Sequence, residues 1–205
     1  VQLSKDGAAM VFHDYHLNRL TGQKGAIAQS NAEWLSKVAL SGGTGTITTL
    51  KQTLAQVCGQ VPLLIEIKDQ DGNLGTNVGP LEFEVAQALR NYNGDVAIMS
   101  FNPNSVAAFV KNDLHISAGL VTDRFEAADW PTISQPTRLH LRGMKDLKKV
   151  GASFISHNQK YLHDLDFLNL KLSKIPILCW TVLSLKSEKK ARKIADNITF
   201  EGYLA

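Results

Sequence analysis

Cysteine is scarce in this chain of 205 residues, which has only Cys58 and Cys179. Neither belongs to a spaced Cys/His pattern, so a zinc finger or ribbon is excluded. Cys58 ends an expected helix and Cys179 lies inside an apolar strand, so both are expected as small buried hydrophobes and not as a disulfide. Aromatic residues are few, at 7%, and none interleaves with the densest basic stretch, residues 186–193, which removes the stacking platform of a single-strand nucleic-acid binder. That stretch falls on an expected helix and reads as a solvated outer face. The net charge of +3 is too small to argue for a nucleic-acid partner. No apolar run approaches the ~20 residues of a membrane span, and no repeat or low-complexity tract is present. Compartment and oligomeric state stay open. With 44% hydrophobic and 20% charged residues, the composition is that of a globular domain able to build a core.

The most informative segment is Val61-Pro62-Leu63-Leu64-Ile65-Glu66-Ile67-Lys68, an apolar run that ends with a carboxylate and an ammonium two residues apart. In an extended strand Glu66 and Lys68 share one face, and Ile65 and Ile67 share the other. Charges on a strand this apolar are costly unless a metal, a counter-ion or an anionic ligand neutralises them. A carboxylate suits a divalent cation and an ammonium suits a phosphate, whereas the plainer alternative is that the two pair with each other. Similar apolar runs end in polar groups at Ala8 to Asp14, Met99 to Asn102 and Ile177 to Val182. In parallel α/β architectures that carboxyl edge carries the active site.

Strands are expected near 8–13, 61–68, 96–101, 116–121, 153–157, 175–182 and 197–200, the first of them a hairpin-like arm. Helices are expected near 49–58, 80–91, 103–112, 141–150, 162–173 and 185–195, with Asn104 and Ser184 as amino-terminal caps. The alternation predicts a parallel sheet, as a barrel or a doubly wound sheet. Residues 14–48 are rich in Gly, Thr, Ser and Asn and read as a flexible surface connection, because Gly42-Gly43-Thr44-Gly45 lacks the strand and the Lys-Ser/Thr of a phosphate-cradling loop.

An ordered set of motifs is similar to the glycerophosphodiester phosphodiesterase family. Lys5-Asp6-Gly7 precedes His13, Asp14, Leu17, Arg19 and Thr21 in a His-Asp-x-x-Leu-x-Arg-x-Thr pattern; Thr49, Leu50 and Leu54 form a helix start; Glu66-Ile67-Lys68, Ser100-Phe101 and Trp180-Thr181-Val182 follow in order. The resemblance implies an α/β fold of the TIM-type (β/α)8 barrel and one phosphodiesterase domain over 1–205, with a barrel-mouth insertion at about 14–48. It also implies that the first two strands, with the family's His-Arg and Glu-x-Asp motifs, are missing from this sequence, whose length falls short of the about 250 residues of such a barrel. The expectation is a longer protein, with a non-catalytic barrel remnant used for binding as the alternative.

The activity implied is metal-dependent hydrolysis of a small glycerophosphodiester to glycerol 3-phosphate and an alcohol. A related phosphodiesterase acting on phospholipids or sphingomyelin is a further reading. His13 is expected as catalytic acid/base, its imidazole titrating near neutrality, and Glu66 as a ligand of Ca²⁺ or Mg²⁺ through oxygen-only coordination. Lys68, Trp180, Phe101 and Arg19 are expected at the substrate, Lys68 neutralising phosphate charge and Arg19 either meeting phosphate or pairing with Asp14. Asp14 and His157 are expected as auxiliary residues.

Overall fold

The computed structural model describes residues 1–112, 115–164 and 174–205. Strands β1 (Gln2–Leu3), β2 (Ala9–Val11) and β3 (Thr48–Thr49) form a small antiparallel sheet in the order β1-β2-β3. Between β2 and β3 run the short helices α1 (Asn18–Thr21) and α2 (Ala32–Leu35). Helix α3 (Leu50–Val57) then leads into the main sheet. Its six strands are β4 (Leu63–Glu66), β5 (Val96–Ser100), β6 (Ser117–Thr122), β7 (Phe154–Asn158), β8 (Ile177–Val182) and β9 (Asn197–Phe200). All neighbours are parallel and stand in consecutive order, β4 to β9. A doubly wound sheet reverses its order at a switch point, so this winding decides for the barrel. The arm at residues 8–13 is not a stave, as expected.

Helices α4 (Pro80–Leu89), α5 (Pro103–Val110), α6 (Gln135–Arg142) and α7 (Leu185–Ala191) connect or follow these strands. Local chemistry sets their starts. Thr49 caps α3 through a reciprocal pair, its hydroxyl accepting from Gln52 N–H at 3.2 Å and its own N–H donating to Gln52 Oε1 at 2.8 Å. This explains the Thr-Leu-x-x-x-Leu motif, since Leu50 and Leu54 are the buried residues one turn apart. Ser184 caps α7 as expected, accepting from Ser187 N–H at 3.2 Å. At α5 the cap is Asn102, not Asn104: Asn102 Oδ1 accepts Asn104 N–H at 2.9 Å, and Pro103 fills the first helical position.

The helix expected at 141–150 is displaced to Gln135–Arg142. Its apolar residues Met144, Leu147 and Val150 are buried in the core as their spacing implied, but Met144 takes a left-handed φ of 48° after Gly143, which ends the helix. Ser134, accepting from Thr137 N–H, and Pro136 were the start signals. The helix expected at 162–173 extends into residues outside those described. Cys179 is buried, but Cys58 is exposed, because it forms the left-handed cap of α3 (φ 48°) and not its packed face.

Strand alternation builds two apolar layers. Ile65, Ile67, Ile98, Leu120, Ile155 and Cys179 pack toward the helices. Met99, Val121 and Phe154, with Phe101, Leu178 and Trp180, pack together on the opposite, inner face. The segment 14–48 is not a loose connection. Leu17, Ile27, Leu35, Val38 and Ile47 form a separate buried core with Met10 and Phe12 of the arm. Val1 lies alongside β4, its amino nitrogen donating to Glu66 O at 2.5 Å and its carbonyl accepting Lys68 N–H at 3.0 Å. No helix among the described residues is long and apolar enough to cross a membrane.

Gly119 shows how tightly the inner layer is filled. A Cβ added there would meet the Phe154 ring at 2.3 Å. Gly119→Ala is expected to cost roughly 1–3 kcal/mol by overpacking, read as a lower urea midpoint with an unchanged m-value; an unchanged midpoint would show that Phe154 repacks freely.

Candidate active site

The inner face of the sheet turns polar where its strands end. Glu66 closes β4 and Lys68 follows on the same face, and Lys68 Nζ donates to Glu66 Oε1 at 2.9 Å. Both side chains are largely withdrawn from solvent, so the mutual pairing offsets part of the desolvation that either charge alone would bear. They therefore do pair with each other, and both also line a cavity of about 430 Å³.

His13 enters that cavity from the arm. Phe12 anchors in the second core, which turns the next residue outward, and the His13 side chain is 69% exposed. Gln2, itself buried, fixes the turn by donating to Phe12 O at 3.2 Å and to Asp14 O at 2.5 Å. Asp14 Oδ1 lies 2.7 Å from His13 Nδ1. The same carboxylate receives Arg19 in a two-pronged contact, Nε to Oδ2 at 2.7 Å and Nη2 to Oδ1 at 2.6 Å. The hydrogen bond from Arg19 is the main reason that Asp14 is held down to about 2, with His13 assisting and burial opposing. An ionised carboxylate only accepts, so His13 Nδ1 carries the proton and Nε2 is left for proton transfer. Arg19 thus takes the second of its two expected roles, pairing with Asp14.

The opposite wall of the cavity is apolar, formed by Leu74, Phe101 and Trp130. Phe101 is braced from behind by Trp180, ring centroids 5.4 Å apart at 81°. Trp180 itself does not line the cavity; its indole N–H donates to Ser156 O at 3.1 Å. Tyr15, His16 and Asp69 complete the lining. Asp69 is buried and ties the loop after β4 to α5, accepting from Asn102 Nδ2 at 2.8 Å, Gly72 N–H at 2.8 Å and Leu74 N–H at 3.2 Å. Burial pushes its carboxyl upward against these bonds. The Tyr15 phenol is pushed up to about 12, first by burial and then by the charges of Asp69, Glu66 and Asp71.

His157 is buried away from this cavity. It faces the helix layer, with Nδ1 2.8 Å from Thr122 Oγ1, and burial lowers it to about 4 despite Asp164. Sequence reasoning passed over Trp130, Asp69 and Gln2. A tryptophan in an otherwise polar strand-to-helix segment was the available signal for Trp130; Gln2 carried none. Among the described residues no group of three or more His, Cys, Asp or Glu stands together as a metal site. Glu66 supplies one hard oxygen donor group, and its Oε1 accepts from Lys68 Nζ.

A consecutively wound parallel sheet gathers a carboxylate and an ammonium at its carboxyl edge, with an imidazole beside them from the arm, at the edge where barrel enzymes carry their chemistry. The chain belongs to the glycerophosphoryl diester phosphodiesterase family, whose model matches residues 1–195. It is thereby placed in that enzyme class. The Bacillus subtilis protein YhdW, which carries a glycerophosphodiester phosphodiesterase name, is 24% identical over 198 residues, covering 93% of this chain and 75% of YhdW. A glycerophosphodiester phosphodiesterase of Bacillus altitudinis is 30% identical over 130 residues, covering 60% of this chain and 52% of its own length. Among solved structures, an Oleispira antarctica phosphodiesterase in complex with the product sn-glycerol-3-phosphate superposes with a TM-score of 0.76 at 20% identity, over 98% of this chain and 78% of that one. The Thermotoga maritima glycerophosphodiester phosphodiesterase gives 0.71 at 19%, over 97% and 77%. These structures share the TIM-type fold.

His157 makes stability acid-sensitive. Its folded value of about 4 lies below the ~6.5 of a free imidazole, so the unfolded chain binds the proton first and stability present above pH 6.5 drains away as pH falls toward 4. The full effect is on the order of 3 kcal/mol. His157→Gln is expected to flatten that part of the stability–pH curve in denaturant titrations. An equal slope in the variant would assign the acid sensitivity elsewhere.

Proposed function

We propose that this protein hydrolyses glycerophosphodiesters to glycerol 3-phosphate and an alcohol, with His13 moving the proton and Lys68 balancing phosphate charge. The observation that carries the reading is the meeting of His13, Glu66 and Lys68 in one cavity of a chain belonging to this family. The product seen in the Oleispira antarctica neighbour is the one this reaction releases.

The phosphate enters beside Lys68, whose ammonium then divides its charge between Glu66 and the phosphoryl oxygens. As the phosphorus–oxygen bond to the alcohol breaks, charge builds on the departing oxygen, and His13 Nε2 delivers a proton to it. Asp14 stabilises the imidazolium and fixes its orientation through Nδ1–H, so it acts through His13. Water supplies the oxygen that the phosphate gains and the proton that restores His13. Glu66 is the chain's own contribution to a Mg²⁺ or Ca²⁺ site, where a cation would polarise the phosphoryl oxygens. Phe101 and, behind it, Trp180 form the side against which the organic part of the substrate rests.

Full-length protein carrying His13→Ala or Glu66→Ala is expected to lose about 10²-fold or more in kcat, measured as glycerol 3-phosphate released from glycerophosphoglycerol. Full turnover by either variant would sink the assignment. Asp14→Asn keeps the hydrogen-bonding shape but removes the ionised acceptor. It is expected to lower kcat with little change in KM, because the imidazolium loses the charge that stabilises it. A pure KM effect would make Asp14 a substrate contact instead.

A further inference from the structure

We propose that the exposed face of α7, together with Leu183 and Leu185 at the carboxyl edge of the sheet, docks the protein on an anionic lipid bilayer, the leucines entering the headgroup layer and the lysines lying against its phosphates. None of these residues lines the cavity of His13, Glu66 and Lys68, so the surface is separate from the reaction proposed there.

Helix α7 separates its charges by side. Successive residues step about 100° around a helix, so Glu188 and Ala191, its buried residues, share one side. Leu185, Lys186, Lys189 and Lys190 then fall within an arc of about 140° on the opposite side, and all four are exposed. Glu188 is the only acidic residue between Leu183 and Lys193, and it is withdrawn from that face. Its Oε1 accepts from Arg192 Nε at 2.6 Å and its Oε2 from the Tyr203 hydroxyl at 3.1 Å. The lysine face therefore carries no acid of its own helix, and its three ammonium groups match the net charge of +3 of the whole chain.

Leu183 and Leu185 are 63% and 59% exposed. A single leucine in water calls for no explanation, but these two flank the cap Ser184, and Leu185 stands one turn from Lys189 on the same face. Leu183 follows Val182, the last residue of β8, which places the pair at the edge where Glu66 and Lys68 also stand. Apolar side chains beside flexible ammonium groups match a surface that is anionic outside and apolar beneath. Lysines are drawn to the acidic leaflet and can lay their stems along apolar surface while the charge stays at the phosphates. The binding of such a surface grows with the apolar area buried and with the attraction to anionic lipid. A nucleic acid would engage the lysines and leave the leucines in water.

The test is co-sedimentation of the full-length protein with vesicles of phosphatidylcholine and phosphatidylglycerol in equal parts, against vesicles of phosphatidylcholine alone. Binding to the mixed vesicles is expected at about 0.05 M salt and release at about 0.5 M, where screening is stronger. Partitioning onto phosphatidylcholine alone is expected to be about tenfold weaker or less. The triple exchange Lys186→Glu, Lys189→Glu and Lys190→Glu should lose about 10²-fold in partitioning, and Leu183→Ser with Leu185→Ser about tenfold. All five positions are exposed, so unfolding midpoints should match the wild type; where one falls, the milder Lys→Gln or Leu→Ala exchanges at the same positions decide. No binding to mixed vesicles at low salt, equal binding to both vesicle types, or wild-type binding by the charge-reversed protein would overturn the proposal. Lysine-dependent binding that the leucine exchange leaves intact would overturn it too, since a soluble polyanion needs no leucines.

Discussion

A parallel sheet packed under helices leaves polar side chains few places to go. The helix-facing positions of β4 to β8 are filled by Ile65, Ile98, Leu120, Ile155 and Cys179, and the inner positions by Met99, Val121 and Phe154. The helix-facing layer excludes water, and the inner layer does so at Met99, Val121 and Phe154, while Leu64 stays exposed at the edge. A charge on such a strand survives only at its carboxyl end, where the chain leaves the sheet and a partner or solvent is within reach. Glu66 and Lys68 sit at that limit on β4, and Asp123 and Asn158 at the same limit on β6 and β7. The site is the polar margin of an apolar sheet.

The second core solves a different problem. His13 projects from a short antiparallel arm, and two or three strand residues cannot by themselves hold a side chain in one place. Burial of Met10, Phe12, Leu17, Ile27 and Ile47 gives that arm a rigid base. Gln2 clamps the backbone on either side of His13, and Asp14 clamps the ring. The Arg19 guanidinium completes this arrangement by keeping Asp14 ionised, so a residue that never touches the cavity maintains the tautomer of one that does. On the far wall Asp123 holds the Trp130 ring by its one polar atom, accepting the indole N–H at 2.9 Å.

Strand positions were legible because a stave of a two-sided sheet is a short, nearly continuous apolar run, and the six main-sheet strands fall where such runs end. Helices were legible where a cap and an apolar period agreed, as at Thr49 with Leu50 and Leu54. They failed where the two disagreed. Met144, Leu147 and Val150 have helical spacing and are buried, yet Gly143 and the left-handed Met144 place them in turns. Composition misled at 14–48, since glycines and hydroxyl residues there hide five well-separated apolar residues that meet only in three dimensions.

The sequence by itself determined the repeating strand and helix units, the face shared by Glu66 and Lys68, and the His13-Asp14-Arg19 spacing, because each of these is a local periodicity or a local motif. Only the tertiary structure decided that Arg19 serves Asp14, that His157 points into the helix layer, that Trp180 stands behind Phe101, and that Trp130 lines the cavity. Those outcomes depend on which strand lies beside which and on where burial leaves room. Contacts between residues far apart in the chain carry no periodic signal along it.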